Sequence, residues 1–441
     1  MRAFSVPQRS QPSPSASPGL TLLGRFRQVR AATESLCRPL ATDDYSIQSM
    51  PDASPAKWHL AHTSWFFEEF VLKAAIEDYV PFDAAFGYLF NSYYESVGPR
   101  HNRPERGLLS RPTIEQIWAY RAHVDEEMQL VLERALPAEL EQVVTVGLHH
   151  EQQHQELLLT DIKHLFSLNP LKPAYAAGGA LGRQSASTSL SFLSFSGGLA
   201  EIGHAGADFC FDNEHARHRV HLEPFRLASR LATNGEYLQF IRAGGYERHD
   251  HWLSDGWSCV QREHWRHPLY WSESLEQEFT LGGMRALDLN APVCHLSYYE
   301  ADAFARWAGA RLPTEFEWES VAVRELGAAS PSTTLRGNFV EDGLWHPAAA
   351  AVSGTERAGG VSQLFGDVWE WTASAYAPYP RFRPMNGALG EYNGKFMVNQ
   401  LVLRGGSCAS PRSHIRATYR NFFYPTARWQ FSGVRLAADA R

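Results

Sequence analysis

Between Gly147 and His164 the chain reads Gly-Leu-His-His-Glu-Gln-Gln-His-Gln-Glu-Leu-Leu-Leu-Thr-Asp-Ile-Lys-His, with His150 and His154 four residues apart. On a helix that spacing sets one ring a turn above the other, where both can bind a single metal ion. Carried on by threes and fours, the same stripe meets Leu157 or Leu158, then Ile162, then Leu165 and Phe166, so the pair points into the interior of a helical bundle. A buried imidazole without a partner costs about 1–3 kcal/mol, so the two rings need either a metal or hydrogen-bonding neighbours in the core.

A metal needs a third ligand from another helix, and Trp58-His59-Leu-Ala-His62 offers one. His62 shares the apolar face of Trp58, Trp65 and Phe66 and is the expected ligand. His59 falls in the first turn; it is expected to support a ligand from behind or to sit at the helix end, and it is the alternative ligand. Three neutral imidazoles with no thiolate suit Fe(II), Zn(II) or Ni(II) alike. Residues 150–154 also spell His-Glu-x-x-His, the zinc-protease pattern in which Glu151 is the general base. Against that reading, the segment continues as an amphipathic helix with no suitably spaced third histidine and no strand for a substrate cleft nearby.

Working outward, residues 20–168 carry helical periodicity and few glycines. One helix is expected to begin with Ser54 as its cap and Pro55 in its first position, another after Pro112-Thr113, where Thr113 and Gln116 have capping-box spacing, and a third to run from near Pro137 to Asn169-Pro170. Residues 89–112 are too polar and too rich in Pro and Gly for a helix, and a loop of that length inside a compact domain is usually functional. Residues 171–189 shift to Ala, Gly, Ser and Thr and mark a linker. Beyond it come short β-like runs, many Trp, Tyr and Gly, and two expected short helices, at 232–243 and 298–309. The expected organisation is a disordered tail over 1–18, a helix bundle over 19–170, the linker, and an irregular α+β domain over 190–441.

Composition narrows the function. The 441 residues are 44% apolar, enough to bury full cores, and 41 basic against 48 acidic residues give net charge −7, which makes no electrostatic case for binding nucleic acid or anionic lipid. No apolar run reaches the roughly 18 residues of a membrane span. Five scattered cysteines (Cys37, Cys210, Cys259, Cys294, Cys408), none in a CxxC pair, suit a reducing cytoplasmic setting and are expected to be structural thiols. A small-molecule partner is expected.

Two sets of motifs carry a family resemblance. Trp-His-Leu-Ala-His-Thr-Ser-Trp-Phe-Phe-Glu at 58–68 and the histidine-rich run at 149–164 resemble a DinB-type metal-binding four-helix bundle. Ala308-Gly-Ala-Arg-Leu-Pro-Thr-Glu-Phe-Glu-Trp-Glu319, Leu364-Phe-Gly-Asp-Val-Trp-Glu-Trp-Thr372, Arg404-Gly-Gly-Ser407 and Phe431-Ser-Gly-Val-Arg435 resemble the formylglycine-generating-enzyme fold, a variant of the C-type lectin fold. In this order, over almost the whole chain, they are similar to the sulfoxide synthases of ergothioneine biosynthesis, two-domain α+β enzymes.

The resemblance implies an iron(II)-dependent oxidoreductase that uses O2 to join a thiol sulfur to the imidazole of hercynine (Nα-trimethylhistidine). It implies His62, His150 and His154 as Fe(II) ligands, and Gln153 and Asn421 as hercynine contacts. Phe422 and Phe423, with Tyr424, are candidate aromatic faces for the trimethylammonium. Some members carry Trp-Asp in place of Phe422-Phe423 to read a γ-glutamyl donor, so the departure favours cysteine over γ-glutamylcysteine, as does the adjacent pair Tyr93-Tyr94. One of these tyrosines is expected to supply the proton that steers the reaction to sulfur–carbon bond formation and away from thiol dioxygenation. Arg100, Arg103 and Arg106 are candidate partners of the donor carboxylate. Copper chemistry of the formylglycine-generating type is not expected, because no second cysteine follows Cys408. A DinB-type thiol transferase, a ligand-display protein and a selenium-donor variant are the competing readings.

Overall fold

The computed structural model describes residues 20–176, 188–326, 335–350 and 360–440. The expected tail and the centre of the expected linker lie outside the described residues. Among the described residues no helix is long and apolar enough to cross a membrane.

Four long helices make the N-terminal bundle: α1 (Leu22–Cys37), α2 (Ala56–Phe67), α5 (Ile114–Leu132) and α6 (Ala138–Leu168). Helix α2 passes through a π-helical turn, Glu68–Leu72, into the short α3 (Lys73–Ala75), and α4 (Phe86–Phe90) opens the long polar loop. The capping box at Thr113 and Gln116 is formed in both directions, at 2.8 and 3.3 Å. Ser54 does not cap α2, whose cap is Pro55. Its backbone N–H donates to Asp161 on α6 instead, and its hydroxyl accepts from Arg106, so the helix starts one residue late because Ser54 is held sideways.

The C-terminal domain is built on a four-stranded sheet in the order β10-β7-β8-β9 (Ser432–Gly433, Trp369–Ala375, Leu401–Arg404, Asn421–Phe423), with β7, β8 and β9 antiparallel and β10 parallel to β7. A three-stranded sheet, β1-β4-β11 (Phe192–Phe195, Phe225–Ala228, Ala437–Asp439), and the hairpins β2–β3 (Gly198–Ile202, His218–Leu222) and β5–β6 (Gln277–Thr280, Gly283–Ala286) complete it. Helices α7 (Asn234–Arg242) and α9 (Tyr298–Trp307) match the two expected ones. Two more form, α8 (Ser254–Glu263) and α10 (Glu315–Leu326). The start of α10 is legible in retrospect, because Thr314 and Glu317 exchange capping hydrogen bonds at 3.1 and 2.7 Å.

The sequence motifs of this domain meet in its core. Arg404 donates to Glu315 and Glu319 at 2.9 Å each, while Arg435 and the Trp318 indole donate to Glu370 at 2.8 and 2.9 Å, all of them buried. Arg404 also donates to the Ala417 and Tyr419 carbonyls and Arg435 to those of Ala228, Ser362 and Gln363, so buried charges of separate motifs are satisfied by one another and by the backbone, and the motifs knit the fold together.

Helix α6 is buried on both sides because the second domain packs on it. Gln152, Glu156 and Lys163, a stripe at four- and seven-residue spacing, reach Ser413 (2.7 Å), Ser407 (2.5 Å) and His295 (2.6 Å). The opposite stripe, with His150 and His154, turns toward α2.

Candidate metal centre

Ring nitrogens of His62, His150 and His154 lie within 4.8 Å of one another, and these residues are the one group of metal-ligating side chains so placed among the described residues. Helix α2 supplies one ring and α6 two. Metal–imidazole bonds are about 2.0–2.1 Å long, so one ion spans these nitrogens after a small ring rotation. The His62 and His150 Nε2 atoms face each other at 3.1 Å.

Each ring is fixed differently. His62 is wedged between Trp58 and Trp65, with centroids 4.5 and 5.5 Å away, and its Nδ1 donates to the Phe90 carbonyl at 2.6 Å, leaving Nε2 bare. His154 Nδ1 lies 2.9 Å from His59 Nδ1, and His59 Nε2 lies 3.1 Å from Asp161 Oδ2. His150 packs on Phe66 and Tyr392, and its Nδ1 is buried without a partner. Burial, then the neighbouring rings, holds His62 and His154 well below the ordinary histidine pKa, and burial brings His150 down to about 3. The rings are therefore neutral near pH 7, the form that ligates metal.

Glu151 is not available as a general base. Although burial works to raise its pKa, Arg121 and Arg30 bring it down to about 2, and its oxygens accept from Arg121 (2.7 Å), Arg30 (2.9 Å) and Thr33 (2.6 Å). A carboxylate saturated in this way takes no proton from water, which removes the zinc-protease reading.

The long loop packs Tyr94 against Trp65 and Tyr93 near Tyr392, the rings that flank His62 and His150. Asn91 pins it: its amide donates to the Tyr94 and Gly98 carbonyls and its oxygen accepts the Tyr94 N–H, at 3.0–3.1 Å. Tyr94 is fully buried against Trp65 and Phe70 and stacks on Tyr93; its hydroxyl has no partner other than the neighbouring Tyr93 phenol. From the second domain, Glu391 accepts the Glu95 and Ser96 N–H groups at 3.0 Å each, which fastens the loop down.

Gln153 is bonded at both ends of its amide, with one of its two N–H groups used. Its amide donates to the Tyr419 hydroxyl at 2.7 Å and its oxygen accepts from Tyr392. Tyr392 and Tyr419, two residues that sequence reasoning missed, thus line the centre; they lie more than 200 residues from the histidines, and no local pattern marks them. Phe422 stacks on Tyr376 at 4.0 Å and lies 5.9 Å from Phe396, which reaches Tyr93 at 5.1 Å. Phe423 packs instead toward Trp429, since successive strand residues face opposite sides, and Tyr424 is 61% exposed. Only Phe422 of the three aromatic residues joins the cluster around Tyr93. The Asn421 oxygen accepts the Phe422 N–H at 2.9 Å.

The three loop arginines do not converge. Arg100 pairs with Glu95 at the surface and Arg103 donates to the Asp52 carbonyl. Arg106 is buried, with its guanidinium 3.4 Å over the Trp58 ring. Two planar groups as close to Trp58 as Arg106 and His62 cannot share one face, so the indole separates Arg106 from the triad. Cys37, Cys259, Cys294 and Cys408 are buried thiols; Cys210 is half-exposed, its sulfur 2.9 Å from His215 Nε2.

Residues 25–165 match the DinB superfamily and residues 179–440 the sulfatase-modifying factor enzyme 1-like domain. The chain is 31% identical to a hercynine oxygenase of Mycolicibacterium thermoresistibile over 94% of each chain. It is 33% identical to the hercynine oxygenase of Mycobacterium tuberculosis over 93% of this chain and 97% of that one. Ergothioneine biosynthesis protein 1 of Schizosaccharomyces pombe is 27% identical over 52% of this chain and 28% of its own length.

Proposed function

Since the chain belongs to the hercynine oxygenase family of ergothioneine biosynthesis, we propose that it is an iron(II)-dependent sulfoxide synthase that joins cysteine sulfur to the imidazole C2 of hercynine. Hercynine, cysteine and O2 give the sulfoxide and one water: the two substrates together lose four electrons, and one oxygen atom is retained on sulfur.

The observation that supports this reading most is the convergence of three neutral imidazoles from two helices with no carboxylate among them. Held by His62, His150 and His154, Fe(II) would leave positions open for the thiolate, O2 and substrate and would supply the redox chemistry. The surrounding side chains do the rest. Gln153, braced by Tyr392 and Tyr419, presents a fixed amide to hercynine. Phe422 forms the wall on the side of the second domain and with Phe396 and Tyr93 gives aromatic faces suited to a trimethylammonium, which donates no hydrogen bonds. Asn421, the preceding residue of β9, alternates to the strand face of Phe423 and is not part of that wall.

Tyr93 or Tyr94 holds the proton that separates sulfoxide formation from simple thiol oxidation. Arg106 lies behind Trp58, and Arg100 and Arg103 would bind the donor carboxylate only by exchanging Glu95 and the Asp52 carbonyl for it. Anaerobic loading with Fe(II), followed by O2, hercynine and either cysteine or γ-glutamylcysteine, tests the proposal by product mass. The hercynylcysteine sulfoxide is expected with cysteine. Turnover without O2 consumption would instead indicate a thiol transferase.

A further inference from the structure

His154 can offer Nε2 to a metal only if that nitrogen is bare, so its single proton must sit on Nδ1. Nδ1 then has to donate, and the atom 2.9 Å away is Nδ1 of His59. His59 must accept there, which puts its own proton on Nε2, 3.1 Å from Oδ2 of Asp161. The Ser54 backbone N–H can only donate, so Oδ2 is an acceptor at that contact, and accepting from His59 as well agrees with the direction set from the His154 end. Oδ2 is fixed in turn by the Ser54 N–H at 2.8 Å, at the start of the helix that carries His59 and His62. His59 and Asp161 are 3% and 5% exposed, so water does not compete for these bonds.

We propose that Asp161 and His59 form a positioning relay that fixes the tautomer of His154 and strengthens it as a ligand, an assignment that rests on the triad holding iron. Helix α6 supplies both ends of the relay, His154 and Asp161, seven residues apart on one face; α2 supplies the middle. The three ligands are thereby unequal. His62 is oriented by a neutral carbonyl and His150 by packing alone, while His154 receives the influence of a carboxylate through a second imidazole. The alternative polarity, in which His59 donates to His154, puts the His154 proton on Nε2 and blocks ligation.

Two measurements test the relay. In the Zn(II)-loaded wild-type protein with nitrogen-labelled histidine, long-range proton–nitrogen NMR should show His59 as the Nε2–H tautomer and His154 protonated on Nδ1. His59 found as the Nδ1–H tautomer overturns the relay. Anaerobic competition for Fe(II) against a chromogenic chelator supplies the second test. His59→Phe keeps the ring volume but not the bonds and should weaken binding about 10–100-fold, the usual effect of removing a residue that supports a ligand. His59→Gln, whose amide can accept at one end and donate at the other, should recover most of that loss. Equal affinity of both variants and wild type overturns the relay with the family reading intact, whereas a wild-type protein that holds no divalent metal overturns both.

Discussion

The carboxylate of Glu156 accepts a 2.5 Å hydrogen bond from the hydroxyl of Ser407, and so ties the helix that carries His150 and His154 to the Gly-Gly-Ser turn of the other domain. Ser410 and the Trp369 indole add bonds of 2.6 and 2.8 Å to the same carboxylate. Removing the acceptor strands three buried donors, each at a cost of about 1–3 kcal/mol. Glu156→Ala is therefore expected to lower unfolding stability by about 3 kcal/mol or more and to speed amide hydrogen exchange at residues 405–410. Unchanged exchange in that turn would show that the two domains are held together elsewhere.

Glu151 gives an acid dependence. Its pKa is about 2 in the fold against an ordinary 4.5. The shift is downward, so the stability it contributes is present in full above about pH 4.5 and is lost as pH falls toward 2. Glu151→Gln should flatten that acid limb, and because it removes the buried carboxylate shared by Arg30 and Arg121, leaving them Asp125 at 2.6 Å and Glu34 at 3.4 Å, it should cost about 3 kcal/mol at neutral pH. Denaturant titrations across pH check both. An acid limb as steep as in wild type would mean that Glu151 does not face the arginines.

Tyr93→Phe and Tyr94→Phe probe the proton donor. At least one of them should divert product from the sulfoxide to cysteine sulfinate, read by mass spectrometry. Burial, then the neighbouring phenols of Tyr93 and Tyr392, pushes Tyr94 well above the ordinary 10.0, which favours the protonated phenol. The ratio of sulfoxide to sulfinate in the wild type should then stay constant from neutral pH to pH 10, and a transition near neutrality would point to a different donor.

Arg100→Ala and Arg103→Ala should raise KM for the thiol donor with kcat little changed. A charge-assisted carboxylate bond is worth about 1.5–3 kcal/mol, or roughly 10–100-fold in KM. Steady-state kinetics with cysteine varied at saturating hercynine measures it, and an effect confined to kcat would remove the arginines from donor binding.

The parts of the site legible in the sequence are those coded by local spacing. The four-residue interval of His150 and His154 and the capping box at Thr113 and Gln116 each lie within one helical turn, where geometry follows from the backbone. The motifs around Glu315, Glu370, Arg404 and Arg435 were legible as a pattern, although their interlocking charges appear only once the strands are paired. Tyr392, Tyr419 and the bond from His59 to Asp161 were not legible, because each depends on packing between elements far apart in the chain. Ser54 was misread as a cap for a related reason: a serine before a helix satisfies the local rule, but Asp161 and Arg106, from elsewhere in the fold, take its hydrogen bonds. Phe423 and Tyr424 were grouped with Phe422 as a run, yet strand alternation turns Phe423 away and Tyr424, past the end of β9, is exposed.

Anomalous diffraction at the iron edge, from crystals loaded anaerobically with Fe(II), locates the ion itself. One peak per chain is expected, within bonding distance of His62, His150 and His154 and of no carboxylate, with His59 behind His154 and not on the ion. A peak bound by His59 in place of His62, or no peak between α2 and α6 in fully loaded crystals, would contradict it.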